Sequence, residues 1–184
     1  MNQELEQRIN NEIPKDDSTS LGEKMILYWM IKDLKPKVVV ETGTHRGLTT
    51  LYMLAALEDN GEGHLYTCDP NTEWGQNGNF GKFPTLDKRV TFYPIKGEEM
   101  LKNINNIDFA FIDGFHGKDD VIPEIKNLLP NLSSTAVVVF HDCWYGNTEG
   151  VNEACDELGL KTIWLGTKNA IRIYEQHPNK PTGL

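Results

Sequence analysis

Apolar and polar positions along the chain switch repeatedly between two periods. Short strand-like runs cover Lys37 to Glu41, His64 to Asp69, Arg89 to Ile95, Asp108 to Asp113 and Ala136 to Phe140. The last two are continuously apolar, as in strands covered on both faces of a parallel sheet. Helical spacing fills the gaps. Ser20 and Glu23 form a Ser-x-x-Glu capping box ahead of a helix from Leu21 to Leu34, which stops before Pro36. Its Tyr28 and Trp29 are expected in the core. Leu51, Leu54, Ala55 and Leu57 mark a helix from Leu48 to Glu58. A short helix follows Lys96, and a longer one runs from Lys118 to Leu129 through Pro123. Thr148 caps a helix with Val151, Ala154, Cys155 and Leu158 at i, i+3, i+4 and i+7. Two last strands, Thr162 to Leu165 and Ile171 to Tyr174, are joined by Gly166 to Asn169, a joint that forces them antiparallel. The pattern predicts one α/β domain over residues 19–176, a mostly parallel sheet with helices on both faces. Residues 1–18 carry a short helix over Glu4 to Ile9 and are either a loose arm or part of a lid. Pro70 to Lys82 is a long loop around Trp74 and Phe80, and 177–184 is a frayed tail.

Composition narrows the partners. The chain has 184 residues and a formal net charge of −9, which argues against nucleic acid as a partner. Cys68, Cys143 and Cys155 lack CxxC spacing and read as free thiols of a reducing compartment. Met1 to Pro14 is too polar for a signal peptide, and Met25 to Ile31 is too short to span a bilayer. A cytoplasmic location and no membrane partner are expected, with homo-oligomerisation left open.

The chemistry centres on Val38-Val39-Val40-Glu41-Thr42-Gly43-Thr44-His45-Arg46-Gly47-Leu48-Thr49-Thr50. A buried strand runs into an acid, then a glycine turn, then a helix N-terminus. Gly43 suits backbone angles closed to other residues, and Gly47 allows close approach of a ligand. The helix start suits an anionic group and the acid suits a cationic one. S-adenosylmethionine (SAM) carries both, as an amino-acid head beside a sulfonium. The run resembles motif I of class I SAM-dependent methyltransferases, Glu/Asp-x-Gly-x-x-x-Gly. Asp69 ends the next strand about 25 residues on, near the offset of the ribose-binding acid in dinucleotide folds. The resemblance implies the seven-stranded Rossmann-like methyltransferase sheet, whose last strand is inserted antiparallel. It places Glu41, Gly43, Thr44 and Gly47 around the methionine part of SAM, Thr49 on its carboxylate, Asp69 on the ribose, and Gly97 with Glu98 or Glu99 on the adenine side.

Two further strand ends carry candidate chemistry: Ile112-Asp113-Gly114-Phe115-His116 and Phe140-His141-Asp142-Cys143. Two carboxylates with a histidine can hold a divalent ion. His116 is either a base for a substrate hydroxyl or a surface residue capping the next helix. Together these runs look like small-molecule O-methyltransferases that modify sugars of macrolide and aminocoumarin antibiotics, and like cephalosporin-hydroxylase-like proteins. That resemblance implies Asp113 as a Mg²⁺ ligand that also adjoins SAM, His116 as the base, and Asp142 as a second ligand. His141 stands where those relatives carry another acid. It suits Mn²⁺, Fe²⁺ or Zn²⁺ better than Mg²⁺, or leaves the site without a metal. The expectation is O-methylation of a small hydroxylated acceptor. The alternative is a SAM-binding sensor or scaffold without methyl transfer. A nicotinamide oxidoreductase would need Gly-x-Gly-x-x-Gly, and Glu41 occupies its first position.

Overall fold

The structure is a computed structural model that describes residues 3–13, 18–71, 82–143 and 150–176. The expected loop around Trp74 and Phe80, the Thr148 cap and the C-terminal tail lie outside those residues. In chain order the elements are α1 (Gln3–Glu12), α2 (Leu21–Leu34), β1 (Val38–Thr42), α3 (Leu48–Asn60), β2 (His64–Cys68), α4 (Pro84–Asp87), β3 (Val90–Tyr93) and α5 (Gly97–Met100). They continue with β4 (Ile107–Ile112), α6 (Lys118–Leu128), a 3-10 turn at Leu129–Asn131, β5 (Leu132–Phe140), α7 (Gly150–Glu157), β6 (Thr162–Leu165) and β7 (Ile171–Glu175). One seven-stranded sheet has the order β3-β2-β1-β4-β5-β7-β6. The first five strands pair in parallel. β7 pairs antiparallel with both β5 and β6, so the final hairpin puts the last strand inside the sheet edge.

Alternation along β4 builds the two core layers. Phe109 and Phe111 face one side, where Leu27, Ile31, Leu51 and Leu54 of α2 and α3 pack. Ala110 and Ile112 face the other, against Val121, Ile125 and Leu128 of α6 and Ala154 and Cys155 of α7. The polar N-terminal stretch is docked, because Ile9 and Ile13 are buried in the first layer and Arg8 Nη2 donates to Lys82 O at 2.6 Å.

The capping box forms in full, with Ser20 N donating to Glu23 Oε2 at 2.7 Å and Glu23 N to Ser20 Oγ at 3.3 Å. Trp29 corrects the core expectation. Tyr28 is buried but Trp29 is 59% exposed. Leu27, Tyr28 and Ile31 define the buried face of α2, and position 29 turns away from it.

The sheet's carboxyl edge closes tightly at Gly43. Its φ is +84°, and a Cβ there would lie 2.1 Å from Asp113 O. Gly43→Ala therefore has to part β1 from the end of β4 as well as strain its own backbone. It is expected to cost more than about 2 kcal/mol, read as a lower midpoint in urea unfolding.

Candidate functional site

A cleft of about 280 Å³ opens along the carboxyl ends of the strands. This is where open α/β sheets bind ligands. Its lining includes Gly43, His45, Cys68, Asp69, Gly97, Asp113, Gly114, His116, Glu124 and Asp142. The glycine turn folds over β2, with Gly43 N and Thr44 N both donating to Cys68 O, at 2.9 and 3.1 Å. His45 N donates to Asp69 Oδ2 and Asn71 N to Asp69 Oδ1, each at 2.8 Å. Two backbone amides thus fix the Asp69 carboxylate at the cleft wall. Helix α3 starts at Gly47, φ +78°, without a side-chain cap, so its N-terminal amides keep their dipole end for a ligand.

Glu41 faces the other way. It is fully buried, outside the cleft lining, and its Oε2 accepts from Thr50 Oγ1 at 2.7 Å and Thr67 Oγ1 at 2.6 Å. Thr44 Oγ1 lies 2.6 Å from Thr67 Oγ1 and extends the same network. Among the described residues Glu41 Oε1 has no hydrogen-bond partner. Burial pushes the Glu41 carboxyl up to about 8, against the two threonine hydrogen bonds, with Asp113 and Asp69 adding to the rise.

At the β4 and β5 ends, a buried imidazole meets three acids. His141 Nδ1 lies 2.8 Å from Asp113 Oδ1 and 3.4 Å from Asp142 Oδ1, and Nε2 lies 3.5 Å from Glu23 Oε2. Burial opposes charge on the ring, yet Asp113 first, then Asp142 and Glu23, push it up to about 12. The Asp113 carboxyl is itself raised by burial, although His141 pulls it down. His116 Nε2 lies 3.3 Å from Asp142 Oδ2, and its side chain is 29% exposed to the cleft. Donor atoms of Asp113, His141 and Asp142 all fall within 4.8 Å of one another.

The cleft therefore brings together Gly43, Asp69, Gly97, Asp113, His116 and Asp142. Glu41, Thr44, Gly47, Thr49, Glu98 and His141 stand outside its described lining. Glu98 instead uses its carbonyl, which accepts from Asn127 Nδ2 at 2.9 Å. Sequence reasoning missed Glu124 and the second role of Glu23. Both had a signal. Val121, Glu124, Ile125 and Leu128 are the i, i+3, i+4 and i+7 positions of α6, all buried, and one of them is an acid. Glu124 Oε2 accepts from Thr42 Oγ1 at 3.0 Å, and burial pushes its carboxyl up to about 7 despite that bond.

Comparisons with known proteins bear on the family and the fold. A family model described as a methyltransferase domain matches residues 40–143. An O-methyltransferase, TomG from Streptomyces achromogenes, solved with SAM, superposes with a TM-score of 0.70 at 15% identity, covering 96% of each chain. A methyltransferase from Podospora anserina, solved with S-adenosylhomocysteine, gives 0.73 at 17% identity, over 95% of this chain and 86% of that one. The "uncharacterized protein y4gI" of Sinorhizobium fredii is 29% identical in an alignment of 135 positions that covers 62% of this chain. The match spans only 14% of that relative's length.

Glu41 ties the site to stability. Folding raises its pKa from 4.5 to about 8, so the folded chain keeps a proton that the unfolded chain has released, and stability falls as pH rises through that window. Glu124 acts with the same sign up to about 7. Glu41→Gln is expected to flatten the decline by up to about 1.4 kcal/mol per pH unit. The effect is read by urea unfolding between pH 7 and 8, above the Glu124 window. An unchanged slope there would reject the buried protonated Glu41.

Proposed function

The chain belongs to the methyltransferase-domain family, and from that premise we propose that it moves the methyl group of SAM to a hydroxyl oxygen of a small molecule, with sugars among the acceptors. The observation that carries this reading is the meeting of Asp69, Gly43, Asp113 and His116 in one cleft at the carboxyl ends of the strands. A likeness in fold to O-methyltransferases adds support for oxygen as the acceptor atom.

In this reading Asp69, held by two amides, accepts the ribose hydroxyls. The uncapped start of α3, with Thr49, receives the cofactor carboxylate, and Asp113 receives the ammonium. The sulfonium methyl needs only an oxygen placed in line with it. His116 takes the acceptor's hydroxyl proton while Asp142 fixes the imidazole at 3.3 Å. The oxygen forms its bond to the methyl carbon, the carbon–sulfur bond breaks, and its electron pair stays on sulfur. S-adenosylhomocysteine and the methyl ether are the products.

The donor set also fits a divalent ion. Asp113, His141 and Asp142 supply two carboxylates and one imidazole nitrogen within a compact triangle. Glu23 lies against the far nitrogen, as a carboxylate that orients a ligating histidine does. The nitrogen favours Mn²⁺ over Mg²⁺. Such an ion would lower the pKa of an acceptor hydroxyl. Because Nδ1 would have to lose its proton first, affinity is expected to rise with pH.

The first experiment is calorimetric titration with S-adenosylhomocysteine, run with chelator and then with Mn²⁺. Absence of binding in both would reject the reading. Asp69→Ala is expected to weaken that affinity about tenfold or more. His116→Ala is expected to leave it unchanged while lowering turnover on a hydroxyl substrate about 10²- to 10⁴-fold. Full turnover in the His116 variant would remove it as the base.

A further inference from the structure

The cleft is charged one way. Its described lining holds four carboxylates, Asp69, Asp113, Glu124 and Asp142, and two histidines, His45 and His116, with no lysine or arginine among the described residues. Lys96 is drawn to the Phe115 ring, with Nζ 5.6 Å from its centre, and stands outside that lining. The segments that continue from Asn71 and Cys143 in sequence, 72–81 and 144–149, contain two glutamates and no lysine or arginine. SAM brings one net positive charge, a sulfonium and an ammonium against a carboxylate, and Asp113 takes the ammonium in the reading above. Around His141, three carboxylates then share an imidazole that carries at most one positive charge. Its Nδ1 is committed to Asp113 at 2.8 Å, and its Nε2 faces Glu23 at 3.5 Å. Asp142 is left over. It is 6% exposed, and it lines the cleft. Its Oδ2 faces His116 at 3.3 Å, and its Oδ1 accepts no hydrogen bond among the described residues. The residue is held at φ +50°, in the left-handed region that few residues other than glycine adopt, so the backbone fixes where this carboxylate stands.

We propose that the methyl acceptor is a cation, a hydroxyl compound with a protonated amine near the hydroxyl, as in an amino sugar, and that Asp142 receives the ammonium while His116 takes the hydroxyl proton. The inference rests on the methyl-transfer reading above and names the acceptor class within it. A buried carboxylate without a compensating charge is costly, and the acceptor's ammonium supplies that charge. The same ammonium stabilises the negative charge that develops on the neighbouring oxygen as its proton leaves. An acceptor that carries a carboxylate or a phosphate would meet like charge on the cleft wall and is disfavoured. A divalent ion on Asp113, His141 and Asp142 would take the same carboxylate, so ion and ammonium are alternative occupants.

The test runs in chelator on three sugars that differ at one carbon: 6-amino-6-deoxyglucose, glucose and glucuronate, which present an ammonium, a hydroxyl and a carboxylate on one pyranose frame. Binding is read by ligand-observed NMR on the chain loaded with S-adenosylhomocysteine, and methyl transfer is read from SAM. The amino sugar is expected to be bound and methylated at least about tenfold better than glucose, with glucuronate the poorest of the three. Asp142→Asn is expected to bring the amino sugar within about threefold of glucose. A merely misplaced His116 would slow both sugars alike and leave that ratio unchanged. Equal handling of amino sugar and glucose by the wild-type chain, no binding of the amino sugar to the loaded chain, or an unchanged ratio in Asp142→Asn overturns the cationic acceptor and leaves the cofactor reading intact. Should the variant lose S-adenosylhomocysteine binding, the wild-type comparison decides alone. Failure of the wild-type chain to bind S-adenosylhomocysteine overturns both readings.

Discussion

A buried imidazole holds the carboxyl edge of this sheet together. His141 is 1% exposed and lies within 3.5 Å of Glu23, Asp113 and Asp142, which come from α2, the end of β4 and its own strand. A neutral ring could donate to one side only and would turn a lone pair toward a carboxylate on the other. A cation at this point, whether a second proton or a metal at Nδ1, satisfies both sides. Removing it would leave three acids with little water to screen them. The position of α2, the orientation of Asp113 and, through Asp142, the setting of His116 all depend on that one charge. Glu23 makes the link to the rest of the chain, because its Oε1 also accepts from the Asn169 amide at 3.0 Å, in the turn between β6 and β7.

Glycine works at the same edge. At three positions the chain packs so closely that a methyl group is excluded. Gly43 abuts Asp113 O, Gly97 abuts Glu124, and Gly150 at the start of α7 would carry a Cβ 2.3 Å from His116 O. These contacts are backbone on backbone or backbone on a pinned carboxylate. They fix the spacing between the segments that carry Asp69, Asp113 and His116 without using side chains. The loop bearing His116 is thus held from one side by Gly150 and from the other by Asp142.

Periodicity made the architecture legible. The five parallel strands, the capping box at Ser20 and the closing hairpin follow from patterns that sequence states directly, since one buried face per element is enough to produce them. The site was legible only where a residue's place on its element decides its role. Asp69, Asp113, His116 and Asp142 sit at or just past strand ends and could not avoid the edge. Glu41 also ends a strand, but strand alternation sends it to the α3 side, where Thr50 and Thr67 wait. That choice depends on two partners 9 and 26 residues away. Trp29 misled because aromatic character was weighed above angular position on the helix. Glu124 was hidden because an acid inside an apolar stripe is usually a solvated exception. Its partners, Thr42, Gly97 and Gly114, come from three separate segments that only the fold assembles.

The pocket's acids have a further consequence for a cationic ligand. Glu124 in the cleft and Glu41 in the network behind it are pushed up to about 7 and about 8, with burial as the leading cause, and burial also raises the Asp113 carboxyl. Near neutrality Glu124 and Glu41 therefore sit between protonated and ionised forms. SAM would bring a sulfonium and an ammonium into it, and nearby positive charge lowers the pKa of such carboxyls. Binding would release protons and complete the pocket's negative charge around the cofactor. Methyl transfer would then remove the sulfonium charge and leave the acids less well compensated than before. By linkage, the pocket that ionises to receive the charged cofactor holds its neutral thioether product less firmly. The same burial that costs folding stability at high pH would thus tilt the site from product toward the next cofactor.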